Sequence, residues 1–399
     1  MTNTSSNPMD LKRVIMSGVV LSALGTMFYN LLPMFLGVVQ DYREFDNRAI
    51  GILSSLFFAG FTLTTGTAFF WIRRVNWRIV TLVSLCVGSM ALLLAGYSKS
   101  HILLMICIFV AGGAFSTVYG IGATSLGDTS NPARWYGLKI SAEAMLGVIL
   151  LFVLPGTLIS SYGFMGMMAG MVLAVVLLAP MLSWLPATGN TLLEDGGTRV
   201  HIHSQLKLAI WIGLFAVTTF IFSATMIWGF IERLGDTAGL DALLLGKILS
   251  LALVFAVFGS MTAVALGDRF GSGRPFVVAT ATFLLALALL STTTTVAIYT
   301  VGTCLLTFAI GLGISYVITI VADLDTDGRY VVLTVPAIGI GVMMAPAIGG
   351  LLTTSQEFPA IFMFAGITVV FSLLAGLLAL HKGLAAVERN PTLKGREQK

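Results

Sequence analysis

Charge is what this 399-residue sequence has least of: Lys, Arg, Asp and Glu make up 10% of it, against 57% hydrophobic residues. A soluble domain carries about 25% charge and 45–50% apolar residues, so a water-soluble globule of this composition could not coat its own surface. Disorder is excluded from the other side, because disordered chains are poor in apolar residues. Cysteine is scarce: Cys86, Cys107 and Cys304 lie far apart inside apolar runs and form no CxxC pair. They exclude a disulfide framework and a zinc ribbon, and read as small hydrophobic residues. The four histidines (His101, His201, His203 and His381) fall in loops or at run ends, where they assemble no metal or hydrolase constellation. Gly120-Ile121-Gly122 sits in an apolar run with no GKS/T after it, so ATP is not the energy source. No enzyme activity and no cofactor are expected. The net charge of +4 comes from basic residues in short segments between apolar runs, which excludes nucleic acid as a partner.

Apolar runs are what the sequence has in place of these. A spanning helix needs about 20 mostly apolar residues, and twelve such runs follow one another. They start near Val14, Arg48, Trp77, Ile102, Trp135, Tyr162, Lys207, Ala242, Pro275, Val296, Tyr330 and Phe358. The polar start, Met1–Asp10, precedes a run too long for a signal-peptide core and without an A-x-A cleavage pattern, so it reads as leading into a retained first helix. An even number of spans puts both termini on one side. Of the 22 Lys and Arg residues, 17 fall on that side, and only Arg43, Arg48, Lys99, Arg233 and Lys247 on the other. The positive-inside rule makes the termini side cytoplasmic. The expectation is an all-α multi-pass protein of the cytoplasmic (inner) membrane, with the lipid bilayer as its surroundings and a monomer as its unit.

Sliding the chain against itself reveals a repeat at an offset of 195. Leu11-Lys12 falls on Leu206-Lys207, Gly18 on Gly213, Asp41, Asp46 and Gly51 on Asp236, Asp241 and Gly246, Asp128 on Asp323, and Arg134 on Arg329. Apolar composition would match Leu and Val by chance, but not charged and glycine positions in register. The sequence therefore reads as a first six-helix half over 1–186, a polar central loop over 187–206, a second six-helix half over 207–381 and a basic tail over 382–399. Parallel repeats of this kind place a substrate site near the bilayer midplane between the halves.

Motifs in the repeat carry a resemblance. Leu266-Gly267-Asp268-Arg269-Phe270-Gly271-Ser272-Gly273-Arg274, after the eighth span, resembles the G-x-x-x-D-R-x-G-R-R loop of the major facilitator superfamily, with Val264 at the leading glycine. Arg73-Arg74-Val75-Asn76-Trp77-Arg78 looks like the first-half copy, with Arg73 in place of the acid. In the eleventh span, Gly341 to Gly350 with Pro346 is similar to the superfamily's G-x-x-x-G-P-x-x-G-G helix. The resemblance implies a twelve-helix fold of two six-helix halves that moves a small solute by alternating access. It also implies gating contacts at the loops: Asp268 with Arg134, neighboured by Arg269, and Arg73 or Arg74 with Asp323, Asp325 or Asp327.

Glu143 is the one acid the sequence places well inside a span. An intramembrane carboxylate is costly and marks a functional position by default, which suits a group that binds and releases a proton. The competing reading is an i,i+4 pair with Lys139, one turn back. The first span carries Ser22, Thr26, Asn30 and Pro33 as a polar stripe, and the repeat lays Asn30 on Thr225 and Pro33 on Trp228. Tyr29, Asn30, Thr225 and Trp228, with Tyr119, Ser315, Tyr316 and Thr319 of the fourth and tenth spans, are the candidate substrate contacts. No Lys or Arg is expected at mid-depth, which disfavours small multivalent anions. An apolar, aromatic cavity with few hydroxyls favours a monocarboxylate, an aromatic or an amphipathic compound over a sugar. Protons are the expected coupling ion; the alternatives are a proton-antiport exporter and a non-transporting membrane sensor.

Overall fold

The computed structural model describes residues 7–43, 45–189, 204–267, 269–292, 295–325, 330, 333–353 and 358–389. The expected central loop and basic tail lie largely outside them, as do Asp268, Asp327 and Arg329. The helices are α1 (Lys12–Asn30), α2 (Leu32–Arg43), α3 (Asn47–Trp71), α4 (Trp77–Tyr97), α5 (His101–Gly127), α6 (Pro132–Val153) and α7 (Ser160–Leu178). They continue with α8 (Ser204–Thr237), α9 (Ala242–Leu266), α10 (Gly273–Ser291), α11 (Val296–Leu324), α12 (Thr334–Leu352) and α13 (Pro359–Arg389).

Ten stretches are long and apolar enough to cross a membrane, and α1 with α2, bent by 49°, add an eleventh as one broken span. One of the ten, Arg134–Trp184, is 51 residues long. At about 1.5 Å per residue it is far too long for a single crossing of a roughly 30 Å core, and the chain reverses inside it at Gly163, where φ is 54°. A Cβ there would also strike the Tyr42 ring at 2.5 Å. Counted this way there are twelve passes, starting within four residues of the positions the sequence predicts.

Local chemistry explains the helix ends. Side-chain oxygens of Asp46, Asn76, Ser100, Asn131 and Thr295 cap the starts of α3, α4, α5, α6 and α11 by accepting backbone N–H groups, as N-cap residues do. The first span is not one straight helix: α1 stops at Asn30, and Pro33, the second residue of α2, has no N–H to return to the Tyr29 carbonyl.

Packing divides the chain into two compact units. The first takes in Met1–Asp195, Trp228–Val254 and Pro346–Gln356; the second takes in Gly196–Ile227, Phe255–Ala345 and Glu357–Lys399. The cut passes through α8, α9 and α12. Within the first unit α3 packs on α5, α1 on α5 and α6, and α4 on α5 and α7; within the second, α10 packs on α11 and α13. Small residues set these distances. A Cβ on Gly112 of α5 would lie 1.9 Å from the Phe57 carbonyl of α3, and one on Gly311 of α11 would lie 2.1 Å from the Ala256 carbonyl of α9.

Candidate functional site

The polar centre of the first unit is built on α6. Lys139 and Glu143 stand one turn apart on that helix, and Lys139 Nζ lies 2.6 Å from Glu143 Oε1, with side chains only 6% and 14% exposed. Lys139 also donates to the Tyr119 hydroxyl of α5 at 3.1 Å, and its ammonium stands 4.4 Å from the Tyr119 ring and 5.9 Å from the Tyr136 ring. From α1, the Asn30 amide donates to the Glu143 backbone carbonyl at 2.8 Å. Two small residues bring these helices together: a Cβ on Gly25 of α1 would lie 2.5 Å from Tyr119 Cβ, and one on Gly147 of α6 would lie 2.7 Å from Asn30 Cβ. Asn30, Tyr119, Lys139 and Glu143 therefore form one cluster, and the i,i+4 pair is present.

Against the expectation that no cation lies at mid-depth stands a lysine buried inside a spanning helix. Lys139 is seven residues and Glu143 eleven residues into α6, roughly 10 and 17 Å along it. The fifth span, starting near Trp135, takes in Lys139 near its termini-side end, and Glu143 and Tyr119 compensate it there.

A second correction concerns acids. Glu232 is also buried within a helix, since α8 runs on to Thr237 rather than ending about 20 residues after Lys207. Its carboxylate accepts from Arg233 at 2.7 and 3.1 Å, and Arg233 also donates to Asp41 of α2 at 2.9 and 3.4 Å. Asp236 lies 3.5 Å from Arg233. Gly37 of α2 makes room, because a Cβ there would lie 2.3 Å from the Glu232 carboxylate. The signal available in the sequence was adjacency: a Glu-Arg dipeptide compensates itself, so its charge need not end the helix.

The other candidates divide between the units. In the first, Trp228 is buried and its indole donates to the Tyr29 carbonyl at 3.1 Å, the group that Pro33 leaves without its helical donor. Tyr29 itself stands edge-on to Phe58. In the second, Thr225 Oγ1 is buried with no hydrogen-bond partner among the described residues. Ser315 and Thr319 donate to carbonyls one turn back, and the Tyr316 hydroxyl donates to the Gly267 carbonyl at 3.1 Å. These three polar groups are engaged by their own unit's backbone.

The loop residues are placed as follows. Arg73 makes a bidentate pair with Asp128, 2.7 Å at each bond. Asp323, the repeat equivalent of Asp128, accepts from the Ser272 hydroxyl at 2.8 Å, and Asp325 accepts from the Tyr330 N–H at 2.6 Å. Arg74, Arg134 and Arg269 are exposed, Arg134 lying 4.9 Å over the Trp135 ring. Each of the two equivalent acids is thus held by the signature loop of its own half.

At the end of the helices away from the chain termini, the first unit contains a duplicated crossing. A Cβ on Gly51 of α3 would lie 2.3 Å from the Pro346 carbonyl of α12, and one on Gly246 of α9 would lie 2.6 Å from the Leu151 carbonyl of α6. Gly51 and Gly246 are repeat equivalents at 195, and so are Leu151 and Pro346. One turn on, Ser55 accepts from the Ala347 N–H at 2.9 Å and Ser250 donates to the Val148 carbonyl at 3.0 Å; these serines are equivalent too. Asn47 adds a bond to the Thr353 carbonyl. Helices of the first half are thus closed against α8, α9 and α12 at that end.

With this geometry in place, comparison with known proteins decides the family. The family model described as Major Facilitator Superfamily matches residues 15–328. The chain belongs to that superfamily. Among solved structures, the nucleoside transporter NupG is 12% identical with a TM-score of 0.67, over 92% of this chain and 98% of that one. A bacterial homologue of the human lysosomal transporter Spinster, in an inward-facing and unoccupied conformation, is 13% identical with a TM-score of 0.65, over 94% and 96%. At these identities the likeness establishes the shared fold. A search of curated protein sequences gives no match. The protein is accordingly a multi-pass secondary transporter of the superfamily, not an enzyme.

One cavity among the described residues belongs to the second unit. It is a groove of about 580 Å³ between α10 and α13, lined by Leu284, Leu287, Phe362, Ile367 and Phe371, and its apolar walls suit lipid chains.

Proposed function

We propose that this superfamily member moves a small organic solute across the cytoplasmic membrane by alternating access, coupled to protons through Glu143. The observation that carries the reading is the Lys139–Glu143 pair inside α6, joined by Tyr119 of α5 and Asn30 of α1. Burying two charges costs several kcal/mol per ion before their attraction is counted, and two apolar residues would fill the same space without that cost. A pair kept in a spanning helix despite this is suited to work that needs a charge to change. Protonation of Glu143 removes the charge that Lys139 pairs with, which weakens the contact joining this cluster of α1, α5 and α6.

The solute belongs to the monocarboxylates, aromatics or amphipathic compounds, given how many of the candidate contacts are aromatic and how few carry hydroxyls alone. Tyr29, Asn30, Tyr119, Thr225, Trp228, Ser315, Tyr316 and Thr319 remain its candidate contacts, with Thr225 favoured by its unpartnered buried hydroxyl. The protein works as a monomer with cytoplasmic termini. Gating on the termini side uses Asp268 against Arg134, with Arg269 adjacent, and Arg73 or Arg74 against Asp323 or Asp325. Because Arg73 already pairs with Asp128, the second of these latches forms by exchange of partners.

Proton movement in dye-loaded proteoliposomes tests this reading. Monocarboxylates, aromatics, sugars and lipophilic cations are added in turn, with Glu143→Gln alongside. Internal acidification with one class, lost in the variant, is the expected result. Alkalinisation would reverse the sense of coupling to exchange, and acidification that persists in Glu143→Gln would remove Glu143 from the mechanism.

A further inference from the structure

We propose that the Lys139 ammonium is the binding group for a substrate carboxylate, and that Glu143 is a built-in competitor that occupies it until protonated. The inference rests on the proton-coupled reading above and narrows it to one substrate class and one stoichiometry: one singly charged organic carboxylate with one proton.

A site of low dielectric must conserve its charge when a ligand enters. As it stands the cluster holds one positive and one negative group within 2.6 Å, so it is neutral. Among the described residues of the first unit, the titratable or charged groups at this cluster are Lys139, paired with Glu143 on its own helix, and Tyr119 on α5 and Tyr136 one turn below, both against Lys139, with Tyr136 in the field of Asp128. From α1 the contact is the neutral Asn30 amide. Among them Lys139 is the only cation. A substrate carboxylate entering with Glu143 still ionised would leave two negative charges around one positive charge in the membrane interior, and an uncompensated buried charge is strongly unfavourable.

If a proton arrives with it, the balance closes. The Glu143 carboxylate takes the proton and becomes a neutral carboxylic acid, its ion pair with Lys139 breaks, and the substrate carboxylate forms the replacement pair. The site is neutral before and after, and the bound load is neutral overall. A dicarboxylate would bring an extra negative charge with no cation to meet it, and an amide would bring none to replace Glu143. Tyr119, whose hydroxyl oxygen accepts from Lys139 and whose ring lies 4.4 Å from that ammonium, supplies an aromatic wall and a hydroxyl beside the incoming carboxylate.

The test measures equilibrium binding to the full-length protein in nanodiscs, so that transport is not required for a readout. The probes are short-chain, hydroxylated and aromatic monocarboxylates, each beside its primary amide and a dicarboxylate of the same skeleton, with pH varied. Linkage of one proton to one ligand predicts that monocarboxylate affinity falls about tenfold per pH unit once Glu143 is ionised. In Glu143→Gln that slope disappears and binding at high pH becomes tighter. Removing Lys139 alone leaves a buried unpaired acid, so the decisive variant is the neutral double, Lys139→Gln with Glu143→Gln. It is expected to fold and to lose about tenfold or more in monocarboxylate affinity, the worth of a charge-assisted bond.

The proposal is overturned if the double variant binds monocarboxylates as the unsubstituted protein does, if amides bind as well as acids, or if no monocarboxylate binds. Binding with the expected slope but without proton-driven uptake would sink the transport reading and leave this one standing. Proton-driven uptake of a solute without a carboxylate would do the reverse.

Discussion

Helices α6 and α12 are copies of one repeat position, and they have diverged in an instructive way. Each crosses the glycine of its partner half's second span: α6 meets Gly246 of α9 through Leu151, and α12 meets Gly51 of α3 through Pro346. Each is tied one turn further on by an equivalent serine, Ser250 or Ser55. Earlier along the helix the likeness ends. Where α6 carries Lys139 and Glu143, α12 carries Thr334 and Ile338. Closure is duplicated and charge is single. The matched crossings tie both copies in the same way, whereas a buried pair on α12 would repeat the desolvation cost that α6 already carries.

Breaking the closure should have the largest effect. Gly51→Leu or Gly246→Leu puts a side chain where even a Cβ would approach a carbonyl to 2.3 or 2.6 Å, so solute uptake should fall to background in either. Gly66→Leu is the control, since nothing lies within 4 Å of a Cβ there. If one glycine tolerates leucine and the other does not, the two crossings are not functional equivalents.

Next comes transplanting the charge. Ile338→Glu in α12 places a lone carboxylate in a spanning helix, at a cost of about 2.5–3.5 kcal/mol, and thermal unfolding should show it. Adding Thr334→Lys restores the i,i+4 spacing and should recover part of the loss. A single variant as stable as the unsubstituted protein would mean that α12 is free to carry charge and that the asymmetry has another cause.

Smaller effects are expected at the serines. Ser55→Ala and Ser250→Ala each remove one hydrogen bond, worth about 0.5–1.5 kcal/mol, and should weaken the closed end to a similar degree. Accessibility labelling of cysteines placed beside Gly51 and Gly246 would report it, and unequal shifts would argue against equivalence.

The smallest effect lies at the opposite end, where the Asp10 carboxylate accepts from the Ser130 hydroxyl and backbone N–H and Asn7 reaches the Asp128 carbonyl. The Ser130 hydroxyl first, and its N–H second, hold the Asp10 pKa below its usual 3.8. A lowered pKa means that the strap contributes fully above that value and is lost as pH falls through the lowered one. Proteolytic nicking ahead of α1 should therefore rise only in strong acid, and Ser130→Ala should raise it at neutral pH.

Much of this was legible in the sequence. Charged and glycine positions in register revealed the repeat, and twelve apolar runs gave the passes to within four residues. The 195 offset pairs Gly51 with Gly246, although their role as crossings needed coordinates. What escaped was charge held inside a helix. The i,i+4 spacing offers the Lys139–Glu143 pair but not Tyr119 beside it, Glu232 reads as lying beyond the end of the seventh span, and nothing in the sequence matches Arg73 to Asp128. Each depends on a compensating partner, and hydropathy along the chain does not register partners that come from another turn or another helix. The break at Leu31 escaped for a related reason: Pro33 signals a kink, but the indole that takes up the released carbonyl is 199 residues away.

On the proposed mechanism one carboxylate, Glu143, takes up the proton when solute binds. The most direct measurement is proton uptake from weakly buffered solution on adding a monocarboxylate that binds to the purified protein. One proton per bound solute is expected in the unsubstituted protein, none in Glu143→Gln, and an unchanged value in Glu232→Gln. Uptake that survives in Glu143→Gln, or vanishes in Glu232→Gln, would contradict it and move the coupling to the Asp41–Arg233–Glu232 cluster.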